Sequence, residues 1–410
     1  MHQYRNKILW ICCIVMLCAL YFSRAALSIA MISFVAASFF HNRHKAQLRC
    51  FFKTPLLWSM SLLLLLPLIS GVWSADKTHW MDIIRIKLPL FFLPLAFASS
   101  FSFSKRQWNV LAFLFLLLVA GGSVWSFYHY TQNTHAINDG YLKAKSLITP
   151  LQNDHVRFSW MVCLSAVLSI FLFFKNKTDK YRWMFLVVDA WFVFYLHLLA
   201  ARTGLLSFYL CALIVGVYLI FKKNNLRYGL PFLAILFLLP VIAWFALPSF
   251  KNRVKYMLYD FEYFKNANYL PGGNDAMRII SIKAGWATMN EHPLTGVGFG
   301  DIKNKTNEWY EAHYPQMIDK DKILPASEWM MYGAGMGWMG LLIFSIVMLI
   351  PFFVSVSEKL AWWLVNATAA FSFMADIGLE VQTGVFLYSF IILCCWKWWS
   401  VSSSTKVTET

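Results

Sequence analysis

The chain has 410 residues, of which 59% are hydrophobic, 18% aromatic and only 14% charged, against roughly 25% charged in a soluble domain. That balance excludes a single soluble core, because long apolar runs recur from end to end and bilayer solvation accounts for them. The formal charge of +16 does not mark a nucleic-acid partner, since the positives come in short clusters between apolar segments instead of forming one surface.

Taken in chain order, apolar segments run over 8–23, 25–40, 55–74, 89–103, 109–129, 157–174, 183–200, 205–221, 229–248, 329–356, 360–377 and 381–396. The fold class this predicts is all-α: a polytopic membrane protein of about 12 transmembrane helices, several of them shorter than the ~20 residues of a perpendicular span. The first run follows Arg5 and Lys7 like a signal peptide, but it lacks a small-residue cleavage site and reads as a retained helix.

Orientation follows from Lys and Arg in the short loops. One side collects Arg5 and Lys7; Arg43, Lys45, Arg49 and Lys53; Lys105 and Arg106; Lys175, Lys177, Lys180 and Arg182; Lys222, Lys223 and Arg227; Lys359; Lys397 and Lys406. The expectation is an inner-membrane protein with both termini cytoplasmic. Its parts are helices 1 to 9 over residues 1–248, a large periplasmic loop over 249–328, and helices 10 to 12 with a short cytoplasmic tail over 329–410. The eight cysteines fall in apolar runs or a basic loop, none of them in the large loop, so neither disulfides nor a zinc site is expected.

Within the loop, RIISIKAGWATMN (Arg278 to Asn290) has apolar residues at helical spacing and predicts an amphipathic helix against the membrane. It is followed by Pro293 and the turn GVGFGD. The glycines lack the flanking strand and helix of a dinucleotide fold and suit a tight turn.

Charged residues gather at the outer helix ends. They are Arg157 opening the sixth span, Arg202 opening the eighth, Arg278 in the loop, and Asp376 and Glu380 closing the eleventh. Ionisable groups near membrane depth are costly and call for a function. Three converging arginines suit a diphosphate, because guanidinium forks bind its oxygens bidentately and stay charged; the alternative is that each caps carbonyls, pairs with an acid or snorkels to lipid phosphate. Asp376 and Glu380, spaced i, i+4, share a helix face and either contact a sugar, accept a proton, or pair with an arginine. Asp189 and His197 in the seventh span are a proton relay, a buried hydrogen-bonded pair or lumen-facing residues. His155 is a candidate proton acceptor. His292, in EHPLTGVGFGD, either contacts the glycan or acceptor, as Asp301 would, or is a turn residue bonding backbone.

Three motifs then point to a family. ARTGLLSF at Ala201 to Phe208, NEHPLTGVGFGD ending at Asp301, and EWMMYGAGMGWMGLL at Glu328 to Leu342 resemble, in order, the helix start, the His-Pro-Leu-x-Gly-x-Gly signature and the last loop-to-helix junction of the O-antigen ligase and O-antigen polymerase superfamily. NDHVRFSW resembles a version seen in the Bacteroidetes lineage. The resemblance implies a glycosyltransferase that takes a glycan from undecaprenyl diphosphate on the periplasmic side and joins it to a hydroxyl of lipid A core or a related glycan acceptor, with no cofactor, no metal and no nucleotide sugar. It implies that Arg202 and Arg278 hold the diphosphate, with Arg157 a third contact and the loop bringing Arg278 to the other two.

This sequence departs from the family at one position. Where the resemblance predicts His-Asn before the last junction, the chain has Ala326 and Ser327. Either the base is another group, with Glu328, His155 and His313 the candidates, although Glu328 also suits a helix start as a favourable N-terminal charge, or the chain binds lipid-linked glycan without ordinary turnover. A polymerase or a protein O-oligosaccharyltransferase would differ only in acceptor. A lipid or polysaccharide transporter, the reading from another class, would show midplane charges and balanced loops.

Overall fold

The computed structural model describes residues 2–176, 180–222, 225–265, 269 and 271–404. Lys177, Lys223 and Lys406, used above for orientation, lie outside the described residues. Among those described, all regular structure is helical: α1 (His2–Phe22), α2 (Arg24–Ser38), α3 (His44–Lys53), α4 (Pro55–Ser70), α5 (Lys77–Lys87), α6 (Pro89–Phe97), α7 (Lys105–Gln132), α8 (Thr134–Tyr141), α9 (Pro150–Asn153), α10 (His155–Lys175), α11 (Arg182–Leu199), α12 (Arg202–Val217), α13 (Leu226–Ala246), α14 (Pro248–Lys265), α15 (Asp275–Glu291), α16 (Ile302–His313), α17 (Glu328–Phe353), α18 (Lys359–Met374) and α19 (Gln382–Ser404). A π-helical turn, Tyr218–Lys222, extends α12, and short 3-10 turns lie at Asp319–Asp321 and Gly378–Glu380.

Seven of these are long and apolar enough to cross a membrane: α1, α7, α10, α11, α12 with its π turn, α13 and α17. The chain is therefore a multi-pass membrane protein. Several predicted spans are shorter as helices. The one read over 89–103 ends at Phe97 and the one over 55–74 at Ser70, because the following residues turn the chain.

The chain divides into two units. The first comprises Met1–Leu111, Tyr269–Trp362 and Phe373–Thr410; the second comprises Ala112–Asn268 and Trp363–Ser372.

In the first unit α4 packs against α6 and α17, α1 against α2, α6 against α19, and α15 against α16 and α17. The helix predicted over Arg278 to Asn290 is present within α15, and its buried residues Met277, Ile280, Ala284, Gly285, Thr288 and Met289 recur at helical spacing, but α15 packs on α17. Two cations end α6. Lys397 Nζ donates to Phe97 O and Ser99 O at 3.1 and 2.9 Å, and Arg5 Nη2 to Ser100 O at 2.7 Å, satisfying carbonyls that a helix C-terminus leaves open.

The segment read as one span over 329–356 is broken. Gly337 sits at φ 66°, ψ −159°, a conformation open essentially to glycine alone. The freed backbone groups are taken up by the GVGFG turn: Val297 N donates to Ala334 O at 2.9 Å, Gly298 N to Gly335 O at 3.0 Å, and Trp338 N to Pro293 O at 2.9 Å. Phe299 N and Gly300 N donate in turn to the hydroxyls of Ser70 and Ser74 at 3.1 and 3.3 Å. The signature turn therefore stitches a broken helix to the α4–α5 connection, which keeps its polar backbone satisfied where lipid could not.

In the second unit α10 packs against α11 and α12, α12 against α13, and α14 against α8, α11 and α13. The α11–α12 corner is tight. Ala200 is left-handed (φ 47°), and the open carbonyls of α11 are met by Ser249 Oγ on Leu198 O at 2.8 Å and Tyr141 Oη on Leu199 O at 2.9 Å.

Candidate functional site

In the second unit, α10 and α12 begin side by side. Ser159 Oγ accepts from Gly204 N at 3.1 Å, and a Cβ at Gly204 would collide with the Ser159 carbonyl. Only glycine permits this approach. The contact also solves a capping problem. The residue before α12 is Ala201, which makes no side-chain cap, so Ser159 supplies from a neighbouring helix the acceptor that an N-terminal N–H needs.

Arg157 and Arg202 each stand two residues before this contact, in the first turns of their helices. Both are half-buried. Asp154 caps α10 by accepting from Arg157 N at 3.1 Å, and its carboxylate lies 3.4 Å from Arg157 Nη1. Leu151, Gln152 and Asn153 enter that cap in left-handed backbone (φ 59°, 59° and 66°), each costing roughly 1–2 kcal/mol for a non-glycine residue. Two adjacent helix N-termini bearing arginines make a cationic surface suited to an anion. His155 is the first residue of α10 and half-buried beside them.

Sequence reasoning missed Arg253 in this unit. It is 7% exposed on α14, with its guanidinium 6.0 Å from the Tyr256 ring and electrostatically coupled to Tyr141. Burial pushes the Tyr141 hydroxyl well above its usual range, so it stays a neutral donor to the α11 carbonyls.

The first unit holds the other candidates. Arg278, in the first turn of α15, donates from Nη1 to Ala375 O at 2.7 Å. Ser281, one turn on, accepts from Ala326 N at 3.0 Å. The position where the resemblance predicts histidine is therefore held against the helix that carries Arg278. Glu328 opens α17 fully buried, and its Oε1 accepts from Leu379 N at 2.5 Å. Its Oε2 has no hydrogen-bond partner among the described residues.

Asp376 and Glu380 do not share a helix face, contrary to the spacing argument. α18 stops at Met374, Ile377 is non-helical (φ −105°, ψ 61°), and Glu380 closes a 3-10 turn. The physical reason is that Leu379 spends both backbone groups on side chains: its N–H goes to Glu328 and its carbonyl accepts from Lys87 Nζ at 3.0 Å. Glu380 Oε1 lies 2.6 Å from the same ammonium. Lys87, at the end of α5, is fully buried, and the Phe299 and Tyr332 rings lie 5.7 and 5.2 Å from its Nζ. Asp376 is buried too, and Lys87, Glu380 and Asp376 are the charged neighbours of Glu328.

Lys87 is not among the residues singled out from the sequence. A signal was available, because it stands in the apolar run IIRIKLPLFF, where a lone lysine needs a partner.

The remaining candidates are placed elsewhere in this unit. Asp301 accepts from Ala75 N and Asp76 N at 2.5 and 3.0 Å, so both carboxylate oxygens are engaged in docking the signature turn. His292 is exposed in the turn after α15, its carbonyl accepting from Gly296 N at 2.9 Å. His313 is exposed at the end of α16, stacked 4.3 Å from the Trp309 ring, with Nδ1 2.9 Å from Trp309 O. In the second unit, Asp189 and His197 do not pair with each other: Asp189 accepts from Ser169 Oγ at 3.1 Å, and His197 lies 2.6 Å from Tyr209 Oη.

No curated protein matches the chain. Residues 187–345 match the family described as O-antigen ligase, a stretch holding Arg202, Arg278, the GVGFG turn and Glu328.

Proposed function

We propose that this protein is a ligase-like, inverting glycosyltransferase of the bacterial inner membrane. It moves a glycan from undecaprenyl diphosphate to a hydroxyl of lipid A core or a related glycan on the periplasmic side. The matching family consists of glycosyltransferase-like enzymes, and the full reading has about 12 spans, cytoplasmic termini and a periplasmic loop over 249–328.

In this reading Arg202 and Arg278, with Arg157, bind the diphosphate oxygens and stabilise the charge that develops as the diphosphate leaves. The acceptor oxygen attacks the anomeric carbon from the face opposite the diphosphate. A new C–O bond forms, the bond to the diphosphate oxygen breaks with its electron pair, and the hydroxyl proton passes to a base. Direct displacement inverts the anomeric centre.

The observation that carries the reading is the chain break at 375–380. Arg278 holds its first residue, through Ala375 O, and Glu328 holds Leu379 N, so the diphosphate arginine and the candidate base are fixed on the same short segment. Glu328 Oε2 is the acceptor left over, two residues past Ala326, which makes Glu328 the preferred base over His155 and His313. Asp376 and Glu380 line the same break and would orient the glycan or acceptor.

The test is reconstitution of the purified chain in vesicles with a glycan on undecaprenyl diphosphate and a lipid A core acceptor, without an ion gradient. Formation of a new glycosidic bond to the acceptor is expected. Movement of the lipid across the bilayer with no bond formed would replace this reading with transport, and joining of one lipid-linked repeat to another would make the protein a polymerase.

A further inference from the structure

At one end of the first unit the chain is strongly basic. The first Asp or Glu in the sequence is Asp76. Arg5 and Lys7, the residues 41–53 with Arg43, Lys45, Arg49 and Lys53, and Lys105 and Arg106 at the start of α7 all fall in stretches without acid. Near them the α17–α18 connection, which bonds Trp399 O through Ser357, adds Glu358 and Lys359.

α3 is the organised part of this end. It is bent 84° from α4 at Thr54–Pro55, where proline disfavours helix in the residue before it. α4 contains no charged side chain, so a helix at nearly a right angle to it runs along the bilayer surface once α4 is embedded.

One face of α3 is pinned to the protein. Gln47 Nε2 donates to Leu95 O at 2.8 Å, Gln47 Oε1 lies 2.9 Å from His41 Nε2, and Phe51 packs edge-on to Phe91 at 6.1 Å. The opposite face is left outward. On it Lys45, Arg49 and Lys53 recur at i, i+4 and i+8, a spacing that aligns them in one stripe. Leu48 and Phe52, also i, i+4, lie beside that stripe with 46% and 69% of their surface exposed. An apolar pair next to a basic stripe, held on a rigid helix, matches the boundary between acyl chains and anionic headgroups. A soluble polyanion would find the cations but have no use for the apolar pair.

We propose that α3 is a binding site for anionic phospholipid, with Lys45, Arg49 and Lys53 on the headgroup phosphates and Leu48 and Phe52 in the adjoining hydrocarbon. The site requires only that the first unit be embedded in a bilayer, and it stands whether or not the protein transfers glycans.

The full-length protein, purified in detergent and incubated with phosphatidylglycerol or phosphatidylcholine, is examined by native mass spectrometry for retained lipid. Wild type should retain phosphatidylglycerol in preference to phosphatidylcholine. The triple variant Lys45→Gln, Arg49→Gln, Lys53→Gln should lose that retention by on the order of tenfold or more, and Arg49→Gln alone should lose part of it. Lys105→Gln with Arg106→Gln, at the same end but outside α3, should retain lipid as wild type does. Leu48→Ser with Phe52→Ser should weaken retention of phosphatidylglycerol. Equal retention of the two lipids by wild type, an unchanged triple variant, or an equal loss in the Lys105 and Arg106 control would each overturn the assignment. So would full retention in the Leu48 and Phe52 variant beside loss in the triple variant, since the face would then be a general polyanion surface.

Discussion

Lys87 Nζ lies 2.6 Å from Glu380 Oε1, with the lysine side chain fully buried and the glutamate 7% exposed. Taking these charges out of water is costly, and the pair survives because the ammonium also reaches Leu379 O and two aromatic rings. Removing one partner strands the other. Lys87→Met should destabilise the protein by about 3–5 kcal/mol, read as a lowered melting temperature in detergent, while Lys87→Met with Glu380→Gln should recover much of the loss. Equal melting of the single and double variants would mean that the pair is not coupled as described.

The Glu328 side chain permits a clean separation of structure from chemistry. Gln at this position keeps an oxygen to accept from Leu379 N, so the fold should hold, but it cannot take a proton. Glu328→Gln should therefore lower turnover by about 10²–10⁴ with little change in thermal stability. An active Glu328→Gln would return the role of base to His155 or His313.

Ser159 and Gly204 fix the entry of α12. Ser159→Ala removes the acceptor for Gly204 N and should cost about 1 kcal/mol, measured by denaturant or thermal unfolding. Gly204→Leu should do more damage, because the side chain must displace backbone; a further loss of about 1–3 kcal/mol is expected from overpacking. Unchanged stability in both variants would contradict the close approach of α10 and α12.

Asp301 was a candidate glycan contact, and its geometry gives it a different measurable role. Asp301→Ala leaves Ala75 N and Asp76 N without their carboxylate and should lower stability by about 1–3 kcal/mol, with earlier proteolysis of the segment around the GVGFG turn. A raised KM with wild-type stability would restore it as a substrate contact.

Much of this was legible in the sequence, for identifiable reasons. Composition declared the membrane, and Arg157, Arg202 and Arg278 stood out because a charged side chain at a helix start near membrane depth is costly and needs a partner; Arg278 has one in Ala375 O and Arg157 in Asp154. The GVGFG turn was recognisable, but its purpose depended on Gly337 breaking α17, hinted at only by the glycines of YGAGMGWMG. Lys87 gains its meaning from Glu380, a partner 293 residues away, and no local pattern encodes that distance. The spacing of Asp376 and Glu380 misled, because a periodicity argument assumes a continuous helix, whereas Leu379 gives its N–H and carbonyl to Glu328 and Lys87.

The central claim is that Arg202 and Arg278 hold the donor diphosphate. The most direct measurement is glycan transfer by Arg202→Ala and Arg278→Ala, each purified, reconstituted in vesicles and supplied with a glycan on undecaprenyl diphosphate and an acceptor. Each variant should remain folded in the membrane and lose about 10²-fold or more in turnover. Wild-type transfer rates in both variants would contradict the account.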